Sequence, residues 1–295
     1  MAASQASVRI GFKSILFATD FSPSSEASFP YALSLAHCYD SKIIVAHAVP
    51  SDPVTGMTPV PLPVDLEREA QQARQEMLNY SDDRDFEGLR HEFLVEMGYP
   101  PSVITDLIEH EHVDLVVLGT HGRRGLSRLF MGSVAEQIFR TVTCPVLTVG
   151  PGSELKAHQA WKPARIILAT DFSKGSFHAL PYALGLAEEN NAELILLHAA
   201  PLVPWEEKSE TARSYQKRLE QMITADHEPS CRIDFAVRFD LPAPAILTLA
   251  GDKHADLIVM GVHHTPLPGI DSHVPWTTAC EVMSDAHCPV LTVRA

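Results

Sequence analysis

One segment of this chain is written twice, and that duplication limits the possible folds more than any other feature of the sequence. Residues 14–50, SILFATDFSPSSEASFPYALSLAHCYDSKIIVAHAVP, align without a gap on residues 165–201, RIILATDFSKGSFHALPYALGLAEENNAELILLHAAP, at an offset of 151. The copies share ATDFS, PYAL, LA, HA and the closing proline. A repeat of this length describes the fold and is read before anything local. Each copy opens on a branched apolar run (15–19 and 166–170), turns through polar residues into a helical stretch, and reaches a second run (42–46 and 193–197). Strands alternating with helices predict parallel βαβ units with right-handed crossovers.

Beyond Pro50 the copies diverge. The first carries DPVTGMTPVPLPVD, a proline-dense loop that suits neither a helix interior nor a central strand. A helix is predicted over 66–80, and its counterpart over 208–223. Strand-like stretches at 90–95 and 232–237 each run into a proline-bearing turn. A further helix precedes Asp114-Leu-Val-Val-Leu in one copy and Asp256-Leu-Ile-Val-Met in the other. Each half therefore counts five strands and about four helices. The 295 residues suffice for two domains that each bury a core. We place these at 1–150 and 164–295, with the polar, proline-flanked 151–163 as linker.

The stretch from Asp114 to Val134, DLVVLGTHGRRGLSRLFMGSV, carries the chemistry. Its apolar run ends at Gly119, and Gly122 and Gly125 follow in a polar loop with Arg123 and Arg124. Gly132-Ser133 then opens a segment with Val134, Ile138, Phe139 and Val142 at helical spacing. Strand, glycine loop and helix N-terminus is the order in which a fold presents backbone N–H groups to a phosphate. Ser133 is suited to capping that helix and to donating its hydroxyl. There is no GxxxxGK[ST], and no GxGxxG follows a strand, so P-loop and dinucleotide fingerprints are excluded.

At full spacing, Gly119-x-x-Gly122, nine residues, then Gly132-Ser133 resembles the nucleotide-binding motif of the universal stress protein family, in the subset that binds ATP. The strand ending in Thr19-Asp20 and the run Cys144-Pro-Val-Leu-Thr-Val149 match that family as well, and the resemblance spans the whole chain because the unit occurs twice. It implies an α/β fold: two tandem doubly wound five-stranded parallel sheets of order 3-2-1-4-5, with the switch point between strands one and four. It implies that Asp20 bonds a ribose and that the main chain near Ala18, Ala46 and Leu118 lines an adenine. Gly119, Gly122, Gly132, Ser133 and Val134 would hold phosphates. Thr19, His47, His121, Arg123 and Arg124 complete the candidate set, and ATP is the implied cofactor, with Mg2+ as a candidate companion. Alternatives stay open at several of these. Asp20 also suits a turn or helix cap, the two arginines a solvated loop, and His47 (with His198 in the repeat) a buried residue. Met57 and Leu62 suit either an adenine cover or an exposed loop.

The second copy keeps Asp171 and Gly261 but reads GVHHTPLPGIDSHVPWTT where the first has GTHGRRGLSRLFMGS. Counting back from the shared CPVLTV sets Trp276 and Thr277 opposite Gly132 and Ser133, so an indole would fill the phosphate space. We expect ATP in the N-terminal half only. His263, His264 and His273 lack the spacing of a metal site, and we assign no metal. Five cysteines without a CxxC suggest small thiols in a reducing compartment.

A net charge of −14 argues against nucleic acid or an anionic membrane as partner. No apolar run approaches the ~20 residues of a membrane span, and the first residues lack a secretory h-region. A cytoplasmic protein is expected. The readings are a stress-response sensor or regulator that binds ATP, a slow ATPase, or a scaffold whose second domain takes another small ligand. Turnover needs a clamping cation, a metal carboxylate and a positioned nucleophile; the loop shows no acidic pair, so binding without catalysis is favoured. The last strands of the halves would pair as a pseudo-dimer, with homodimerisation as a further option.

Overall fold

The computed structural model describes residues 10–51, 63–82, 86–120, 132–153, 155, 160–223, 229–262 and 273–295. The chain divides into two compact units, one built on Phe12–Pro151 and joined by Leu155–Trp161, the other built on Lys162–Ala295. The N-terminal unit runs β1 (Ser14–Ala18), α1 (Pro23–Tyr39), β2 (Lys42–Val49), α2 (Pro63–Asp82), β3 (His91–Met97), α3 (Pro100–His110), β4 (Leu115–Gly119), α4 (Ser133–Thr141) and β5 (Val146–Val149). The C-terminal unit repeats the series: β6 (Arg165–Ala169), α5 (Lys174–Asn190), β7 (Glu193–Ala200), α6 (Trp205–Met222), β8 (Arg232–Phe239), α7 (Pro242–Lys253), β9 (Leu257–Val262), α8 (His273–Asp285) and β10 (Val290–Arg294).

Within the first unit the strand order is β3-β2-β1-β4-β5, and within the second it is β8-β7-β6-β9-β10. Every pair in these two series is parallel. This is the doubly wound 3-2-1-4-5 architecture that the resemblance implies. Strands buried on both faces lose the apolar–polar alternation, and Ile15, Leu16, Phe17, Ile43, Ile44, Val45, Leu115, Val116 and Val117 are all fully buried. The chain reverses its march across the sheet between β3 and β4. Right-handed crossovers therefore put α1 and α2 on one face and α3 and α4 on the other.

Several boundaries depart from the sequence reading, for local reasons. α2 starts at Pro63 rather than 66, because proline is tolerated in a first turn whose N–H groups need no intrahelical partner. β2 runs on to Val49, where it pairs with Met97 of β3, whereas its other neighbour β1 stops at Ala18. The sheet thus has a step at its carboxyl edge. α1 is capped by Ser22, whose side chain accepts from the Ser25 N–H, and ends on Asp40 in the left-handed region at φ 51°. α5 repeats this with Ser173 and with Asn191 at φ 51°. Trp161, from the expected linker, packs edge-on against Tyr31 at 5.2 Å and donates its backbone N–H to Ser34 Oγ at 2.8 Å.

Two contacts fix β1 against β4. At the amino end, Asp114 Oδ2 accepts the backbone N–H groups of Lys13 (2.7 Å) and Ser14 (3.1 Å). Asp256 does the same for Ala164 (2.8 Å) and Arg165 (2.9 Å). At the carboxyl end, α1 lies so close to β4 that a Cβ on Gly119 would stand 2.7 Å from the Ser24 carbonyl oxygen. The second unit is tighter, since a Cβ on Gly261 would come within 2.1 Å of the Gly175 carbonyl carbon. Both obstacles are backbone, so neither swings aside. We expect Gly261→Ala to destabilise the C-terminal unit by about 3 kcal/mol, at the upper end for an overpacked site, and Gly119→Ala to cost its own unit less. Urea unfolding of each variant checks the order, and a silent Gly261→Ala would contradict it.

Candidate functional site

The site is built from the carboxyl ends of β1, β2 and β4. Phe17 packs its ring on Phe29 of α1 and Tyr80 of α2. By strand alternation Ala18 therefore faces the α3–α4 side. Ala18 is in register with Ala46 and with Leu118, so these three form one row on that face. Ala18 is half-buried, and Ala46 and Leu118 are buried. Gly119, next along, turns the other way, toward Ser24 of α1. That orientation makes Gly119 a packing glycine, a role the sequence reading did not give it.

Asp20 follows β1 in a tight polar turn. Its Oδ1 accepts the Ser22 N–H at 3.0 Å, an Asx turn that leads into α1. Thr19 Oγ1 accepts the Phe21 N–H at 2.9 Å and lies 3.0 Å from Ser25 Oγ. Phe21 sits in the left-handed region at φ 58°, an unusual place for a bulky residue that costs about 1–3 kcal/mol. What holds it there is His47: the two rings meet in a tilted contact at 4.6 Å, and Nδ1 of His47 bonds the Thr19 carbonyl at 2.8 Å. His47 and Thr19 thus lie on the α1–α2 side, on the same face as Phe17 and away from the row of Ala18, Ala46 and Leu118. They brace the turn that presents Asp20.

The helix after β4 supplies the other wall. The chain leaves the sheet at Thr120, which is fully buried and donates its N–H to the Val149 carbonyl at 3.0 Å. It is back at the same point at Gly132, whose N–H donates to the Thr120 carbonyl at 2.7 Å. Gly132 is the N-cap of α4, and no side chain caps that helix. Ser133 is therefore the first helical residue and not the cap. First-turn N–H groups have no intrahelical partner, so those of Ser133, Val134 and Ala135 point out of the helix end. Val134, read from the sequence as part of the buried stripe, is 36% exposed, and Ala135, Ile138 and Phe139 form the buried face. His121, Gly122, Arg123 and Arg124 lie outside the described residues, as do Met57 and Leu62.

The C-terminal unit keeps the brace and alters the row. Phe172 (φ 63°) meets His198 in a tilted contact at 4.5 Å, and His198 Nδ1 bonds the Thr170 carbonyl at 2.8 Å. The matching row is Ala169, Leu197 and Met260, with buried Leu197 in the place of Ala46. Asp171 is exposed, and its Oδ1 accepts the Ser176 hydroxyl at 2.7 Å and the Ser173 N–H at 2.9 Å. α6 adds Tyr215 at 4.4 Å from His198, and the Arg218 guanidinium lies 4.0 Å above Phe172. At the offset of 142 that matches Met77 and Tyr80 of α2 to Leu219 and Met222 of α6, the first unit has Ala73 and Glu76 at these two places. The helix after β9 differs most. Cys144 matches Cys288, an offset of 144, so Gly132 falls on Trp276. α8 begins at His273, a turn earlier than α4 would. The N–H groups of Thr277 and Thr278 therefore fall inside the helical ladder, where those of Ser133 and Val134 are open.

Comparison with known proteins places this architecture. The model of the "Universal stress protein family" matches residues 11–150 and again 163–294. This chain belongs to the universal stress protein family. A universal stress protein of Mycolicibacterium smegmatis is 26% identical over 291 residues, covering 95% of this chain and 96% of that protein. One from Methanocaldococcus jannaschii is 30% identical over 148 residues, covering 47% of this chain and 82% of its own length. Among solved structures, a universal stress protein from Archaeoglobus fulgidus superposes with a TM-score of 0.71 at 17% identity, over 96% of this chain and 98% of that one. That likeness speaks for the fold.

Other features of this family member carry no comparable site. Among the described residues no group of three or more His, Cys, Asp or Glu is placed to hold a metal, and His263 and His264 lie outside them. Burial pushes the Cys288 thiol up to about 12, which makes it unreactive at neutral pH. No described helix is long and apolar enough to cross a membrane. Burial also pushes the His198 imidazole below its ordinary value, with Arg218 acting in the same direction and the bond to Thr170 partly opposing. Above the unfolded value of about 6.5 the ring is neutral in both states. As pH falls below that, the unfolded chain takes up a proton that the fold resists, and stability is lost. Stability should therefore drop less between pH 7 and pH 5 in His198→Asn than in the unmutated protein. Paired urea titrations at the two pH values measure this, and equal drops would contradict it.

Proposed function

We propose that the N-terminal unit binds ATP and that the protein acts as a stress-response sensor or regulator through that binding. The observation that carries this reading is the open first turn of α4 at the switch point. On this reading its N–H groups meet the phosphates, with Asp20 and the small residues Ala18 and Ala46 bordering the same crevice. A helix N-terminus with unsatisfied N–H groups and the positive end of its dipole suits an anion. The half-buried Asp20 carboxylate suits a ribose hydroxyl, and a floor of alanines leaves room for a flat base. Ser133 and Asp20 are the residues that would meet Mg2+ if it accompanied the nucleotide. The family membership supports the reading, since the glycine spacing of this chain resembles that of its ATP-binding subset.

The C-terminal unit lacks these provisions, with Leu197 in the row, Asp171 turned onto Ser176 and α8 begun a turn early. We therefore expect one nucleotide per chain. We also expect retention of ATP in place of rapid turnover, because this reading gives Asp20 to the ribose and assigns no acid–base pair to the phosphates.

Titration calorimetry should give a stoichiometry of one ATP per chain. Gly132→Trp, which copies residue 276 of the second unit into the first, should weaken binding by at least about tenfold, the equivalent of one lost charge-assisted contact. Two equal sites, or unchanged affinity in that variant, would contradict the proposal.

A further inference from the structure

Tyr99 is the first residue after Gly98 at the end of β3, and it occupies the N-cap of α3 at φ −71° and ψ 113°. The ring is 39% exposed, so it is not a core aromatic. Its hydroxyl donates to Oε1 of Gln137 at 2.5 Å. Gln137 lies four residues into α4 from Ser133, about 6 Å along the helix axis, and shares a helix face with the exposed Val134 three residues before it. The other end of the residue is tied to the sheet, because the Gly98 N–H donates to the Val49 carbonyl at 3.0 Å. Tyr99 therefore spans from the end of β2 and β3 to the opening turn of α4.

The step in the sheet edge gives this position its meaning. Ala46 pairs with the last residue of β1, and β2 continues three residues beyond it to Val49. At 3.3 Å per residue, β2 and β3 stand about 10 Å above the end of β1. Tyr99 crowns that taller side, on the face of the sheet that carries Ala18, Ala46 and α4. The second unit makes an internal comparison. At the offset of 142 that aligns β8 and α7 with β3 and α3, Tyr99 becomes Leu241, and at the offset of 144 Gln137 becomes Glu281. The unit with the altered loop has neither the ring nor the amide, and Leu241 is 71% exposed.

We propose that Tyr99 is the wall against which the base of the bound nucleotide stacks, and that Gln137 is a positioning residue that sets the tilt of the ring. This rests on the N-terminal unit binding ATP, and adds which side chain takes the base. The phosphates lie at the first turn of α4, and the ring lies within two turns of it on the high side of the crevice. A flat heteroaromatic base gains from an aromatic face in offset contact, and a ring already fixed through its hydroxyl loses little freedom on binding. Stacking of this kind tolerates different bases, so Tyr99 contributes affinity for a base as such, with no preference of adenine over guanine.

The test uses two ligands on the full chain, ATP and ribose 5-triphosphate, which has no base. In the unmutated protein ATP should bind more tightly than ribose triphosphate. Tyr99→Ala should weaken ATP by about tenfold, as loss of a base–aromatic stack does, and leave ribose triphosphate within about twofold. Tyr99→Phe keeps the face of the ring and should stay within about threefold of the unmutated affinity for ATP. Gln137→Ala breaks the same hydroxyl contact as Tyr99→Phe and should match it, staying within about threefold. Thermal unfolding of each variant confirms that the unit is folded. If Tyr99→Ala weakens both ligands equally, the residue only braces α3 against α4 and the proposal is overturned. It is equally overturned if ATP binding does not change. Failure of the unmutated protein to bind ATP contradicts the proposed function itself, and it shows before any variant is made.

Discussion

Parallel pairing of β1 with β4 is the contact on which the rest of each unit depends. It joins the first strand of the chain to one a hundred residues later, and the register sets Ala18 beside both Ala46 and Leu118. An aspartate grips the amino end of the pair through two backbone N–H groups, and a glycine at the carboxyl end lets a helix press onto the strand. Where the sheet order reverses, helices diverge to opposite faces and a crevice is left that no crossover fills. The functional question is then what main chain and which side chains border it. In the first unit the border is a row of small side chains, a braced turn bearing Asp20 and a helix end with open N–H groups.

Much of this was legible in the sequence. The duplicated segment, the branched apolar runs and the proline-bearing turns fixed the element order, and the family resemblance then supplied the strand order. The losses have physical reasons. Asp114 and Asp256 read as acids that merely precede a strand. Their grip on β1 and β6 depends on a register that only the folded sheet defines. Gly119 belongs to the glycine spacing, and the place of its missing side chain faces Ser24; which way a strand residue points depends on alternation counted from a packed neighbour, here Phe17. The same alternation takes His47 out of the crevice and under the turn. Tyr99 had no signal beyond being aromatic, because its exposure and its bond to Gln137 join residues 38 apart.

The two units share one scaffold and differ at a few places. The strained phenylalanine, the histidine that supports it and the close glycine at the end of the fourth strand occur in both, so they belong to the fold. The differences gather at the crevice: alanine to leucine in the row, serine to glycine at the start of the first crossover helix, and an earlier start to the last helix. In the second unit Tyr215 and Arg218 also cover the phenylalanine–histidine pair, where the first has an alanine and a glutamate. Parts shared by the units therefore report what the architecture needs, and the unshared parts are those on which the proposed binding by the first unit rests.

The central claim is that the first turn of α4 offers its N–H groups to a triphosphate and that α8 has no equivalent. Residue-resolved amide hydrogen exchange, followed by NMR with and without saturating ATP, tests it directly. Added ATP should slow exchange at Ser133, Val134 and Ala135 and leave Thr277 and Thr278 unchanged. Protection that appears equally at the start of both helices, or at neither, would contradict the account.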